Sequence, residues 1–251
     1  MRAWHGRSHK GCQMKKYLIA VVMVVLVGVG YSQRSEAAAC PTAATPFAPL
    51  YVNANGSANG FSCDIGDKTF SNFTTSATGG APAPININIA PIAGPPLWGF
   101  LFQFGMSAGP GVTEDLQIGY TVTCNALAPV FNCIKSNDLL FNGVSTGTGL
   151  ASITETKCLN SNVITCANPL QLVVNALNNG GPLSRELTFT PVHMETVNKD
   201  IIASGGTNGT ATISLVTNTV DQTGVPEPAT LALLGAGLFS LAALRRRKIS
   251  R

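Results

Sequence analysis

Short runs of alternating or β-branched residues recur along the middle of the chain. The clearest alternation is Ile85-Asn86-Ile87-Asn88-Ile89, which has one apolar and one polar face when extended. Further runs of this type are Phe61–Ile65, Thr69–Thr75, Trp98–Phe104, Leu116–Cys124, Ala151–Cys158, Leu170–Asn175, Glu186–Thr190 and Thr210–Val220. Turn clusters rich in Gly, Pro and Asn separate these runs. The spacing predicts an all-β fold, an antiparallel β-sandwich of jelly-roll or immunoglobulin-like type.

The N-terminal segment has the three parts of an export signal. The apolar run Leu18–Val29 follows Lys15-Lys16, and Ala37-Ala38-Ala39 comes after it. The run has twelve residues, fewer than the roughly 20 that a membrane-spanning helix needs. We therefore predict a secretory signal peptide over residues 1–39, with the export translocon and signal peptidase as partners.

Two features of this segment leave alternatives open. Met14 stands directly before Lys15-Lys16, so translation starts either there or at Met1 with an unusually long basic region. Cys40 follows Ala39 as in a lipoprotein, but polar residues stand where a lipobox would have leucine. A permanent N-terminal anchor and lipidation of Cys40 are the alternatives to simple cleavage.

The C-terminal segment also has three parts. Pro226-Glu227-Pro228 precedes an apolar stretch over residues 229–244, and Arg245-Arg246-Arg247-Lys248 follows at once. A basic cluster beside an apolar segment orients that segment with the cluster on the cytoplasmic side of a membrane. The two prolines keep the chain extended just outside, where a processing enzyme can reach it. A plain tail anchor is the alternative.

These three parts, in this order and at the C-terminal end, resemble the PEP-CTERM sorting signal of exosortase substrates. The resemblance implies recognition of Pro226-Glu227-Pro228, cleavage near it by a membrane-embedded cysteine transpeptidase, and transfer to the cell surface. It also implies a Gram-negative bacterium that makes exopolysaccharide, and an inner-membrane intermediate held by a transmembrane helix over 229–244. The tail carries a second name, ice-binding protein C-terminal domain, which is no evidence of ice binding.

Charge separates the ends from the body. The formal net charge is +4, but six Lys or Arg residues lie in residues 1–39 and five in residues 226–251. The stretch between them holds five basic residues against ten acidic ones, which excludes a basic nucleic-acid surface there. We expect one β-sandwich domain over residues 40–221, and a linker with the sorting signal over residues 222–251.

Six cysteines remain once the leader with Cys12 is removed. An even number in an exported chain predicts a disulfide framework, with fifteen possible connectivities for six cysteines. Pairing of sequence neighbours, the simplest choice, gives Cys40–Cys63, Cys124–Cys133 and Cys158–Cys166. A zinc site is not expected, because these cysteines lack CxxC spacing and the body has one histidine. Asp64 and Asp67 are weak candidates for Ca²⁺, and no cofactor is expected.

Signatures of catalysis are scarce. His193 is the only histidine of the body, and no nucleophile-elbow motif accompanies it. Glycosidases need only two suitably placed carboxylates, so Glu114 with Asp115, Asp64 with Asp67, and Glu155 remain candidates. Adjacent residues on a strand point to opposite faces, which disfavours Glu114 and Asp115 as a pair.

The sequence therefore favours a non-enzymatic protein of the cell surface or extracellular matrix, associated with exopolysaccharide or biofilm. A lectin-like carbohydrate-binding module is the first alternative, and it needs an exposed aromatic platform. Trp98 is the only tryptophan of the body, but its apolar run predicts a core position. A glycan-active hydrolase is the second alternative.

Overall fold

The computed structural model describes residues 37–94, 97–125, 132–163, 165–177 and 183–222. The strands of these ranges are β1 Ala38–Ala39, β2 Thr45–Pro46, β3 Cys63–Ile65, β4 Lys68–Thr78, β5 Asn88–Gly94, β6 Leu97–Ala108, β7 Thr113–Cys124, β8 Ile134–Thr146, β9 Leu150–Leu159, β10 Leu170–Leu177, β11 Ser184–Val192, β12 Met194–Ser204 and β13 Thr210–Gln222. A short helical turn, Phe47–Leu50, and a 3-10 turn, Pro84–Asn86, complete them.

The strands form two sheets. The first has the order β1-β3-β4-β7-β12-β9-β10, and the second has the order β11-β8-β13-β6-β5-β2. Among the described strands every pair is antiparallel except β1 with β3. Side chains of the two inner faces share one apolar core. The predicted antiparallel β-sandwich is confirmed.

One part of the interior is aromatic. We call this the aromatic cluster; its members are Phe47, Tyr51, Phe70, Phe73, Phe100, Phe102 and Tyr120. Phe70 of the first sheet meets Phe100 of the second edge-to-face, with ring centroids 4.8 Å apart. Such edge-to-face contacts stabilise a core beyond the burial of apolar area. Alternation along β6 and β7 brings Phe100, Phe102 and Tyr120 inside. In β4 a bulge between Ser71 and Thr74 breaks the alternation, so that both Phe70 and Phe73 face the core.

The predicted strand positions differ from the structure in two respects. The Ile85–Ile89 alternation is a strand only from Asn88 onward, because Pro84–Asn86 form a 3-10 turn and leave Ile85 55% exposed. Proline at the start of the turn fixes a backbone angle that suits a helical turn. Strands β8 and β12 were not among the predicted runs, because their inward faces carry polar side chains, described below.

Three disulfide bonds tie loops to the sandwich: Cys40–Cys63, Cys124–Cys133 and Cys158–Cys166. They join the cysteines that are neighbours in sequence. Cys40–Cys63 links the segment after β1 to β3, and its Cα atoms are 4.8 Å apart. Cys158–Cys166 fixes the loop after β9 to the strand that it leaves. Each bond therefore restrains a segment that has few strand hydrogen bonds of its own.

Both predicted membrane-associated segments fall largely outside the described residues. This applies to the apolar run of the signal peptide and to the transmembrane helix over residues 229–244. Within the described ranges, no helix has the length and apolar character needed to cross a membrane.

Candidate functional site

Charged side chains occupy inward positions on two adjacent strands of the first sheet. Strand β9 places Glu155 and Lys157 on the same inner face as Ala151 and Ile153. Strand β12 does the same with its own acid and its own lysine. The four charged residues, Glu155, Lys157, Glu195 and Lys199, are all 0% exposed. With Tyr120 of β7, Asn137 of β8 and Asn218 of β13 they form what we call the ionic cluster.

Glu155 is at the centre of this cluster. Lys199 lies directly opposite Glu155 in the β12–β9 register, and its Nζ is 2.5 Å from Glu155 Oε2. Lys157, two residues along the same strand, donates to the other carboxylate oxygen, Oε1. One buried carboxylate therefore binds two ammonium groups, one on each oxygen.

Asn218 reaches this centre from the second sheet. Lys199 Nζ donates to Asn218 Oδ1 at 2.9 Å, and the Tyr120 hydroxyl donates to the same oxygen. Asn218 Nδ2 donates to Glu155 Oε1 at 3.3 Å and to the Asp138 carbonyl oxygen at 3.0 Å. All of the polar atoms of the Asn218 amide are thus bound, which a fully buried amide requires.

The second carboxylate of the cluster, Glu195, has fewer hydrogen-bond partners than Glu155. Asn137 Nδ2 donates to Glu195 Oε1 at 2.6 Å, while Glu195 Oε2 is buried without a hydrogen-bond partner. Burial raises the pKa of Glu195 above its ordinary value of 4.5; Lys157 and the Asn137 bond oppose this, and Glu155 adds to it. Glu195 is therefore more easily protonated than an exposed glutamate.

Burial and neighbouring charges shift the pKa values of Glu155, Lys199 and Tyr120. Burial by itself raises the pKa of Glu155, but Lys157 and Lys199 outweigh burial and leave the pKa below 4.5. Burial lowers the pKa of Lys199 from 10.5 to about 8, although Glu155 opposes this change. Burial, followed by the charges of Glu155 and Glu195, raises the pKa of the Tyr120 hydroxyl well above 10.0. Lys199 therefore loses its proton far more readily than an exposed lysine.

The candidate calcium ligands are bound by protein groups. Asp64 Oδ1 accepts from Thr69 Oγ1 at 2.6 Å and from Asn125 Nδ2 at 3.0 Å. Asp67 Oδ1 pairs with the buried Lys68 at 2.6 Å. Across the described ranges, no group of three or more His, Cys, Asp or Glu side chains could hold a metal ion. These contacts make Asp64 and Asp67 parts of the β3–β4 hairpin and its surroundings, although Asp67 Oδ2 is buried without a hydrogen-bond partner.

The candidate glycosidase carboxylates are not brought together. Glu155 is buried in the ionic cluster, whereas Glu114 is on the surface, where Oε2 accepts from the Ser107 N–H at 2.9 Å. Asp115 lies on the outer face of the first sheet, diagonal to Asp200 of β12. Glu155, Glu114 and Asp115 thus occupy the interior, the beginning of β7 and the outer face of the first sheet, and Asp64 and Asp67 lie apart from them in the β3–β4 hairpin.

His193 and Trp98 both make contacts that stabilise the fold. His193 connects β11 to β12; its N–H donates to Asn160 Oδ1 at 3.3 Å, and its carbonyl accepts from the Cys124 N–H at 2.8 Å. Trp98 is partly buried and packs against the core. A Cβ at Gly66 would lie only 2.8 Å from the Trp98 ring, so the β3–β4 turn covers the ring. Trp98 therefore lies at the edge of the core, whereas its apolar run predicts a position inside it.

The sequence alone points to Glu155 but not to the residues that surround it. Lys157 follows Glu155 by two residues, but Asn137, the pair Glu195 and Lys199, and Asn218 lie far from Glu155 in sequence, and only strand register brings them to it. A signal was present, however. With 11% charged residues overall, Glu155-x-Lys157 and Glu195-x-x-x-Lys199 place charges at even spacing within β-rich segments, on one strand face.

The family model of the PEP-CTERM protein-sorting motif matches residues 224–248. The chain therefore carries this sorting motif, which confirms the resemblance and marks an exosortase-sorted, exported protein. The three disulfides fit a location outside the cytoplasm. The matched residues, with Pro226, Glu227, Pro228 and the basic cluster Arg245–Lys248, lie outside the described part of the structure.

Several solved structures are similar to this chain at low identity. TmCBM61, in complex with β-1,4-galactotriose, is 9% identical over 58% of this chain and 86% of that one, with a TM-score of 0.31. The xylan-binding module CBM86 from Roseburia intestinalis is 11% identical over 60% of this chain and 96% of that one, with a TM-score of 0.22. Such TM-scores carry no argument about a ligand. No curated protein sequence matches the chain.

Proposed function

We propose that the mature protein is a non-enzymatic component of the cell surface or extracellular matrix, associated with exopolysaccharide or biofilm. The observation that carries this proposal is the sorting motif at residues 224–248, joined to a disulfide-bonded sandwich. In this proposal the signal peptide directs export through the translocon and is removed by signal peptidase. The tail then holds an inner-membrane intermediate, and exosortase releases the domain to the surface.

The placement of the candidate catalytic residues supports a non-enzymatic role. Glu155 is enclosed between the sheets, and Asp64 and Asp67 are bound by neighbouring side chains. A hydrolase would need two carboxylates open to substrate and water. Hydrolysis of the host's own polysaccharide by the purified protein would contradict this part of the proposal.

The sorting step is tested in the native host with and without its exosortase. Replacing Pro226 and Pro228 together by alanine should leave full-length precursor in the membrane fraction, as loss of exosortase does. The matched control is Val225→Ala, which changes the adjacent residue and leaves Pro-Glu-Pro intact. Equal release of the double variant and the control would contradict exosortase sorting.

The second candidate function is carbohydrate binding, and the outer face of the first sheet favours it. Adjacent strands place Gln117, Asp200 and Thr154 in one row, with Asn198 and Thr156 in the next. Hydroxyl, amide and carboxylate groups of this kind form hydrogen bonds with the hydroxyl groups of a sugar. Trp98 is a poor platform for a sugar ring, since Gly66 lies against it.

Co-sedimentation with the host's exopolysaccharide tests this candidate. Asn198→Ala should abolish sedimentation if the outer face of the first sheet binds glycan. Thr217→Ala, on the outer face of the second sheet, is the matched control. Trp98→Ala should weaken core packing and leave binding by the folded fraction unchanged. If none of these variants differs from the wild type, the first sheet is not a glycan-binding face.

A further inference from the structure

We propose that Lys199 and Asn218 form an intramolecular isopeptide bond, with Glu155 as the residue that carries the protons. The three side chains meet in the centre of the sandwich. Lys199 comes from β12 of the first sheet and Asn218 from β13 of the second. All three are 0% exposed. This covalent tie between the sheets is separate from the sorting and glycan functions proposed above.

Lys199 and Asn218 are held next to each other. Lys199 Nζ donates to Asn218 Oδ1 at 2.9 Å, so the amine lies beside the carbonyl group whose carbon it would attack. A nucleophile held beside its target group reacts as if at very high concentration, because no encounter is needed. The surrounding core excludes water, so hydrolysis does not compete with the amine.

Glu155 contacts both nitrogens of the reaction. Its Oε2 binds the attacking nitrogen, Lys199 Nζ, at 2.5 Å, and its Oε1 binds the departing nitrogen, Asn218 Nδ2, at 3.3 Å. One carboxylate can therefore take a proton from the amine and supply a proton to the leaving group. This is the placement that general acid–base catalysis requires.

Two further features favour the reaction. The pKa of Lys199, lowered by burial to about 8, makes the neutral, nucleophilic amine accessible. The Tyr120 hydroxyl donates to Asn218 Oδ1, the oxygen that becomes negative in the tetrahedral intermediate. A high pKa keeps that hydroxyl protonated, so it remains a donor throughout.

The step balances without another reactant. Glu155 first takes one proton from the Lys199 ammonium group, and the amine then attacks Asn218 Cγ. The new C–N bond forms as the bond from Cγ to Nδ2 breaks. The second proton lost by Nζ passes to Nδ2, which leaves as ammonia. Ammonia then takes the proton from Glu155, which returns to its ionised form, so the products are one amide and one ammonium ion.

Lys157 provides a comparison within the same cluster. It is equally buried and binds the same carboxylate, but through Oε1. It shares the burial and the charged partner of Lys199, whereas the contact with an asparagine carbonyl belongs to Lys199. If Lys199 were only a buried, charged lysine, trypsin would cleave after it as it does after Lys157. A cross-linked Lys199 would resist cleavage.

Peptide mapping of the mature protein, purified after export by its host, tests the proposal. The protein is denatured, reduced, alkylated and digested with trypsin. Between Arg185 and Arg245 the only tryptic site is Lys199. We expect a peptide that begins at Glu186, is uncleaved at Lys199 and is lighter by one ammonia, about 17 Da. Its fragment ions should place the link between Lys199 and Asn218, while cleavage after Lys157 proceeds normally.

Recovery of the peptide Glu186–Lys199 at its sequence mass would overturn the proposal. The same holds for an uncleaved peptide of normal mass, since a Lys-Asp bond can simply be cut slowly. Loss of ammonia at Asn208-Gly209, with Lys199 still cleaved, would be an ordinary succinimide and would also count against the link.

Variants separate the reaction from simple ion pairing. Lys199→Arg keeps the positive charge and the donors but cannot form the bond, so its peptide should show complete loss of the ammonia deficit. Lys157→Arg, the matched change at the neighbouring lysine, should keep the deficit in full. Glu155→Gln should leave only a minor linked fraction. Because wild-type mapping decides the question by itself, a variant that fails to fold leaves the result intact.

Discussion

The interior of the sandwich has two parts that are stabilised in different ways. The aromatic cluster lies between β4 and β7 of one sheet and β6 of the other, and the ionic cluster lies between β9 and β12 and the strands β8 and β13. Tyr120 belongs to both, since its ring stacks on Phe102 at 6.3 Å and its hydroxyl donates to Asn218. Phe100 and Asn218 are direct cross-strand neighbours at the border.

The difference is one of specificity. Burial of apolar area contributes about 25 cal/mol per Å² whatever the partner, so the aromatic cluster tolerates rearrangement. A buried charge is stable only beside a partner of opposite charge with good geometry, so the ionic cluster fixes which strand faces which. A buried ionic cluster often stabilises a core no more than apolar side chains of the same volume would, and the proposed cross-link gives these charges a chemical role.

The largest effect is expected from Glu155→Gln. The substitution removes the carboxylate that balances Lys157 and that carries the protons for the proposed cross-link, so Lys199 stays charged and two buried ammonium groups are left without compensation. Breaking a buried ion pair in this way costs about 3–5 kcal/mol of unfolding free energy. Denaturant unfolding measures it, with Glu186→Gln, a change of an exposed carboxylate on β11, as the control within about 0.5 kcal/mol.

A loss no larger than that of the control would break the comparison, because the ionic cluster would then contribute nothing specific. The folded fraction of each variant should be checked by the same unfolding curve, so that a partly unfolded sample is not taken for a mild effect.

A smaller effect is expected from Phe100→Leu in the aromatic cluster. Phe100 is fully buried and contacts Phe70 and Phe73 at ring centroid distances of 4.8 and 5.6 Å. Leucine retains much of the apolar volume, and the neighbouring rings can close around it. We expect a loss of about 1–2 kcal/mol, less than removal of the whole ring would cause. A loss above that of Glu155→Gln would reverse the ranking of the two clusters.

The pH dependence of Glu195→Gln sharpens the comparison inside the ionic cluster. The folded-state pKa of Glu195 is raised above 4.5, so the stability that its proton provides is complete below about pH 4.5 and is lost as pH rises through the raised value. Glutamine has no proton to lose. The wild type should therefore lose stability relative to this variant as pH rises from about 4 to about 8.

Unfolding curves at several pH values measure this change. Glu155→Gln is the opposite control: the pKa of Glu155 is lowered, so its contribution is present above pH 4.5 and is lost as pH falls. Parallel curves for wild type and Glu195→Gln would show that the Glu195 carboxyl is not perturbed.

The sequence predicts the strands of the aromatic cluster, β4, β6 and β7, but misses two of the five strands that build the ionic cluster. Strands β6 and β7 alternate apolar and polar residues, so periodicity finds them. Strand β12 places Glu195 and Lys199 inside, and β8 places Asn137 inside, so the same test misses both strands. Periodicity assumes that inward means apolar, and a charge-bearing interior violates that assumption.

The candidate site depends on long-range register, which no local pattern encodes. Glu155 meets Lys199 at a sequence separation of 44 and Asn218 at a separation of 63. Glu155 was a candidate because any carboxylate can be catalytic, whereas its environment emerges only when β9, β12 and β13 are placed. The sorting motif behaves in the opposite way, since it is a continuous segment and is recognisable from Pro226 to Lys248 without any fold.

The smallest change in stability is expected from Asp200, on the outer face of the first sheet. Its neighbour there is another carboxylate, Asp115, whereas Glu155 in the interior is neutralised by lysines. Burial, and then the charge of nearby Asp115, raises the pKa of Asp200 above 3.8. The stability that protonated Asp200 provides is therefore complete below about pH 3.8 and is lost as pH rises. At neutral pH the ionised carboxylate is slightly unfavourable, so Asp200→Asn should stabilise the protein by less than about 0.5 kcal/mol. Asp221→Asn is a control of opposite sign, because Asp221 pairs with Lys135 at 3.0 Å. If both variants shift the unfolding midpoint in the same direction, the charge of the neighbouring residue does not decide whether a surface carboxylate stabilises the protein. Partner charge would then matter only for the buried carboxylates of the ionic cluster.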